Sequence, residues 1–191
     1  FRTLAGDDII LLGMSNTKGG SLSTFWPSVI DHTFSKWRPV TQLILSPMLD
    51  FFSGSFWKYQ LTNEVLLAGC ALAIAYLCYC LTDGNYLLGF VAGLFIITSR
   101  FNLFHVLQVF GLMESLAIFF MLLMLIVLFK FATTKNFVLL WLANLFFFLE
   151  IHTHERFILL LPILLTCSFI FTNGISLGRR VFTLFAPILI V

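Results

Sequence analysis

Two carboxylates stand side by side in Gly6-Asp7-Asp8-Ile9-Ile10. Adjacent carboxylates repel, so a proton, a cation or a hydrogen-bond donor is needed to hold both. One can then serve as general base while the other is oriented or binds a metal. The same pair also suits a solvated turn or a helix N-cap. Glu114 enters a strongly apolar run in Met113-Glu114-Ser115-Leu116-Ala117. A carboxylate there calls for a partner or a water-filled cavity, or it opens a helix whose dipole favours it. The densest polar cluster is Glu150-Ile151-His152-Thr153-His154-Glu155-Arg156. His152 and His154 with flanking acids have the chemistry for zinc, but their spacing fits no metal motif. The cluster reads better as the cap of a helix opening at Phe157, with Arg156 turned to a lipid or substrate phosphate. Arg38 and Arg100 also border apolar sequence. A guanidinium fork suits a phosphodiester, and equally the lipid headgroup layer.

The elements that must position these groups are apolar. Of 191 residues, 60% are hydrophobic and only 10% charged, and mean hydropathy is +1.01. Soluble domains run nearer 45–50% apolar and about 25% charged, so too few charges exist here to coat a water-soluble globule. Disordered, collagenous and disulfide-stapled chains are excluded on the same grounds. The expected class is all-α: a polytopic transmembrane helix bundle. The chain starts without Met and stops inside an apolar run, which reads as part of a longer protein. A net charge of +2 with a single adjacent basic pair, Arg179-Arg180, argues against nucleic acid. Cys70, Cys78, Cys80 and Cys167 lie in apolar segments with no His at ligand spacing, as small core residues do.

Composition divides the chain at residue 64. Residues 1–64 hold five of the nine acids, three of the four Trp and three of the five Pro. They read as a long external loop with interfacial helices. Within it, Trp26, Ile30, Phe34 and Trp37 recur at helical spacing, opposite Asp31, His32, Ser35 and Lys36. This predicts an amphipathic helix over 27–37 lying in the headgroup layer. Residues 65–191 read as a truncated bundle of about six apolar segments: 65–81, 86–98, 112–131, 137–149, 157–172 and 181–191.

Threading these segments puts Lys130, Lys135, Arg179 and Arg180 on one face, against Arg100 and Arg156 near the short loops of the other. The first face is then cytoplasmic. The extracytoplasmic face collects all four histidines and every acid but Asp83. Ionisable groups massed at one boundary point to chemistry there.

Four stretches, in order, resemble the GT-C superfamily of polytopic glycosyltransferases, of the protein O-mannosyltransferase and aminoarabinose-transferase kind. They are Asp7-Asp8 with Ser15-Asn16; Trp37-Arg38-Pro39-Val40 leading to Asn63-Glu64; Phe104-His105 to Glu114-Ser115-Leu116; and His154-Glu155-Arg156-Phe157 with Pro162. His154 stands where the family often has Lys. The resemblance implies inverting transfer of a sugar from a polyprenyl-phosphate donor to an acceptor glycan, lipid or protein. Asp7 or Asp8 would be the base, and Glu114 a second site carboxylate. Arg100 or Arg156 would meet the phosphate, with Arg38, His152, His154 and Glu155 among the substrate-binding groups. Some members hold a divalent cation between carboxylate and phosphate, which leaves room for Mg or Mn. The implied location is a bacterial cytoplasmic membrane or the endoplasmic reticulum, with the site on the extracytoplasmic side. A multi-span transporter and a non-catalytic assembly subunit remain the alternative readings. A transporter, however, would carry charges at the midplane rather than at span ends.

Overall fold

The computed structural model describes residues 38–52, 55–99, 106, 108–109, 111–171 and 178. Asp7, Asp8, His32, the 27–37 helix, Arg100, His105 and the 181–191 run lie outside the described residues. Among those described, the regular structure is helical and no strand occurs. In chain order the helices are α1 (Pro39–Phe52), α2 (Phe56–Leu81), α3 (Tyr86–Thr98), α4 (Gly111–Thr134), α5 (Phe137–Thr153) and α6 (Leu161–Phe171). A 3-10 turn, Glu155–Leu160, joins α5 to α6.

α2 and α4, with 26 and 24 residues, are long and apolar enough to cross a membrane. At about 1.5 Å per residue each exceeds the roughly 30 Å hydrocarbon layer. α3 and α5 are apolar but shorter, with 13 and 17 residues. α2 begins nine residues before the apolar run that the sequence marks at 65. Its first turns are polar, and their polar groups have partners. The Tyr59 hydroxyl donates to the Met48 carbonyl at 3.3 Å, and Asn63 Nδ2 donates to the Gln108 carbonyl at 2.8 Å.

Short turns set the topology. α2 and α3 form a hairpin through Thr82–Asn85, where Asp83 and Gly84 take φ of 53° and 93°. Asn85 closes it by accepting from the Leu88 N–H. α4 and α5 are joined by Lys135 and Asn136, and Asn136 caps α5 at the Val138 N–H. α2 runs parallel to α4. Asn63 meets Gln108, the Cys70 thiol donates to the Ser115 carbonyl, and the Lys130 ammonium lies 5.4 Å from the Tyr76 ring centre. The starts of α2 and α4 therefore share one end of the bundle with the finish of α5.

The core is closest between α4 and α5, where Met124, Leu128, Phe131, Leu140 and Phe147 interdigitate, and Leu164 of α6 joins the same cluster. α3 packs differently. Its buried residues are Gly89 and Gly93, while Tyr86, Leu87, Phe90 and Phe95 are exposed. A Cβ on Gly89 would lie 2.7 Å from the Ala75 carbonyl oxygen, and one on Gly93 3.0 Å from that of Ala71. Small residues inward and large apolar residues outward is the pattern of helices packed against each other in hydrocarbon.

Candidate functional site

The finish of α5 positions the site. His154 leaves the helix in extended conformation, φ −151° and ψ 114°, while its N–H still donates to the Glu150 carbonyl. The same residue opens the 3-10 turn, because its Nδ1 accepts the Arg156 N–H at 3.3 Å. The sequence places a helix start at Phe157. The chain instead makes the 3-10 turn first and opens α6 at Leu161, so Pro162 falls in the first turn of α6, where a missing N–H costs no bond.

His154 Nε2 lies 3.0 Å from Glu114 Oε1, in the first turn of α4. Nδ1 accepts a backbone N–H, so the proton of a neutral ring sits on Nε2, the nitrogen nearest Glu114. Burial lowers the His154 pKa below its usual value, against the opposing pull of Glu114. The hydrogen-bond pattern and the desolvation thus agree on a neutral imidazole. Arg156 Nη1 approaches the same Glu114 oxygen at 3.9 Å, on a side chain that is 71% exposed.

Arg38, just before α1, closes the cluster from a third direction. Its Nε and Nη2 donate to Glu155 Oε2 and Oε1, both at 2.6 Å. Its Nη1 donates to the Met113 sulfur at 3.4 Å. The Arg38 bonds pull the Glu155 carboxyl down to about 2. Glu155 Oε2 is also 3.7 Å from His154 Nδ1. Beside this pair the Thr41 hydroxyl donates to the Thr153 carbonyl at 2.8 Å, tying α1 to the finish of α5.

Of the residues singled out in the sequence, Arg38, Glu114, His154, Glu155 and Arg156 come together. His152 Nδ1 donates to the Phe148 carbonyl at 2.9 Å, and its ring lies against the Phe148 ring. Arg38, read in the sequence as a fork for a phosphodiester, spends that fork on Glu155. Thr41 and Met113 carried no signal as site residues. Glu150 is completely buried, and neither carboxylate oxygen finds a hydrogen-bond partner among the described residues. No set of three His, Cys, Asp or Glu groups among the described residues could hold a metal ion. Among the described residues Glu155 is engaged by Arg38 and Glu114 faces His154 and Arg156, so these residues by themselves do not make a divalent-cation site.

The arrangement offers one exposed guanidinium, Arg156, and one half-buried carboxylate, Glu114, held on a brace of neutral imidazole and a closed ion pair. A guanidinium and a carboxylate so placed have the chemistry to meet an anionic group and a hydroxyl. No family model, no curated protein and no solved structure matches the chain.

Proposed function

We propose that the chain is an integral membrane glycosyltransferase of the GT-C kind, a polytopic helix bundle working at the extracytoplasmic face. The sugar comes from a polyprenyl-phosphate donor. One observation carries the reading. Arg38, Glu114 and residues 154–156, from separate parts of the sequence, converge at one end of a bundle with apolar outer surfaces. A lipid-phosphate sugar likewise carries its charge at one end of an apolar tail.

In this mechanism the acceptor O–H or N–H gives its proton to Asp7 or Asp8. The acceptor atom attacks the anomeric carbon, the bond from that carbon to phosphate oxygen breaks, and polyprenyl phosphate leaves with the electron pair. Arg156 receives the phosphate charge, and Glu114 accepts from a sugar hydroxyl. Asp8→Asn should lower transfer by roughly 10²–10⁴-fold while leaving the fold intact. Asp7→Asn, measured alongside, identifies which of the two is the base. The assay uses purified protein in liposomes with labelled polyprenyl-phosphate mannose, glucose and aminoarabinose. Wild-type rates in both variants would refute the assignment.

Glu150 favours a second reading. A buried carboxylate without a described partner is a feature of transporters, which use such groups to carry protons or ions. Proton or solute flux across the same liposomes, with no sugar transfer, would select that reading.

A further inference from the structure

The cluster at the finish of α5 is balanced in charge. Arg38 and Arg156 are cationic, Glu114 and Glu155 anionic, and the His154 ring between them is neutral. All four ionic groups act on that ring, so they form one set. A phosphate entering a balanced set gains little attraction until a carboxylate leaves it. The two carboxylates are held differently. Glu114 is 30% exposed, stands on α4, and lies 3.0 Å from His154 and 3.9 Å from Arg156. Glu155 is 46% exposed and stands on the six-residue 3-10 turn, whose bonds are poorer than those of an α-helix. Its hydrogen bonds are the two from the Arg38 fork. Glu155 is therefore the carboxylate that moves at the smaller cost.

Arg38 is the inner member of that pair, with 13% exposure against 46%. Its Nε and Nη2 make two parallel bonds to two oxygens, the geometry by which a guanidinium takes either a carboxylate or a phosphate. Its Nη1 rests on the Met113 sulfur, a weak acceptor. We propose that the Arg38 fork is a phosphate seat filled from within by the Glu155 carboxylate, and that the phosphate of a membrane lipid displaces Glu155 to bind there. The seat rests on the transferase reading only for the lipid, a polyprenyl phosphate. Glu155 is then a competitor inside the chain, and it lowers phosphate affinity by the fraction of molecules in which the pair is closed. Once displaced, its half-exposed carboxylate completes its hydration in water. The set it leaves is positive by one charge, which the phosphate neutralises.

Removing an internal competitor tightens binding, whereas removing a structural tie does not. The whole protein in phosphatidylcholine nanodiscs is titrated with undecaprenyl phosphate and bound lipid is read by native mass spectrometry. Undecaprenol, phosphatidic acid and inorganic phosphate are parallel arms. Glu155→Ala should bind undecaprenyl phosphate about 10-fold tighter than wild type. Glu155→Gln, which leaves the fork one acceptor, should tighten it by less, and it serves if the Ala variant does not fold. Arg38→Lys keeps the charge and loses the fork, so adding it to Glu155→Ala should cancel the gain. Equal or weaker binding by both Glu155 variants overturns the seat and makes the pair a structural tie. A gain that survives Arg38→Lys overturns it too, because net charge alone would then explain the effect. A gain as large with undecaprenol or with inorganic phosphate overturns the lipid phosphate as the ligand. A gain with phosphatidic acid alone keeps the seat and assigns it to bilayer headgroups. A wild type that transfers no sugar, with the Glu155→Ala gain intact, refutes the transferase reading and leaves the seat standing.

Discussion

Arg38 and Glu155, 117 residues apart, meet through two hydrogen bonds of 2.6 Å each, a paired fork that only a guanidinium can make. The contact fastens the start of α1 to the turn after α5, beside the neutral His154.

The first prediction concerns that fork. Arg38→Ala, Glu155→Ala and the double variant should give a coupling energy of about 1–2 kcal/mol. The value stays modest because Glu155 is 46% exposed and water screens the pair. Arg38→Lys should recover less than half, since an ammonium is a point donor. Thermal unfolding in detergent gives the cycle; additive variants would mean the pair contributes nothing.

Stability should fall in two steps on acidification. His154 has a lowered folded pKa, so its contribution is complete above the usual imidazole value of 6.5 and is lost as pH falls through the lower folded value. Glu155 is also lowered, from 4.5 to about 2, so its share is present above 4.5 and is lost as pH falls toward 2. After screening, the Glu155 step is worth about 1 kcal/mol. His154→Gln should remove the upper step and Glu155→Gln the lower, read from melting temperature against pH. A melting temperature that rises on acidification would contradict both signs.

Gly89 tests the packing of α3 on α2. A Cβ there would meet the Ala75 carbonyl oxygen at 2.7 Å, so Gly89→Ala forces the helices apart. A loss of about 1–3 kcal/mol is expected, and more for Gly89→Leu. Gly178, where an added Cβ meets nothing within 4 Å, is the control. Equal melting of Gly89→Ala and Gly178→Ala would show that the close approach does not exist.

Thr41→Val keeps the shape of the side chain and removes the donor to the Thr153 carbonyl. Both groups are buried, so about 1–2 kcal/mol should be lost, with Thr41→Ser recovering most of it. Amide exchange near 153–156 should rise in the Val variant if α1 braces that turn. Unchanged exchange would detach α1 from the site.

Buried, and without a partner among the described residues, the Glu150 carboxylate should tolerate loss of its charge. Glu150→Gln is expected to leave unfolding within about 0.5 kcal/mol of wild type or to raise stability, because a buried carboxylate without partners is costly. Destabilisation by more than about 1 kcal/mol would reveal a partner for the carboxylate.

The helices were legible where apolar residues run unbroken, as over 86–98 and 112–131. α1 was not legible. Two prolines by type argue against a helix over this stretch, yet Pro39 occupies a first turn and Pro47 sits inside the helix. The start of α2 was hidden by Lys58, Gln60, Asn63 and Glu64, and only contacts from distant residues such as Gln108 make that stretch a continuation of the helix. For the site, residue type gave Glu114, His154 and Arg156 as candidates, because ionisable groups at span ends need a reason. Pairing is another matter. Nothing local to Arg38 tells that its fork will be filled by Glu155, and no period or spacing links Thr41 to the carbonyl of Thr153.

The two ends of the bundle are built from contacts of different range. One is closed by turns of a few residues, with Asn85 and Asn136 capping within their own hairpins. The other depends on contacts 75, 112 and 117 residues apart. Local turns form early and long-range closures late. During synthesis each hairpin is complete as soon as its second helix emerges. The ion-paired end stays open until Glu155 has left the ribosome, so a chain interrupted before that point carries finished hairpins and an unfinished site.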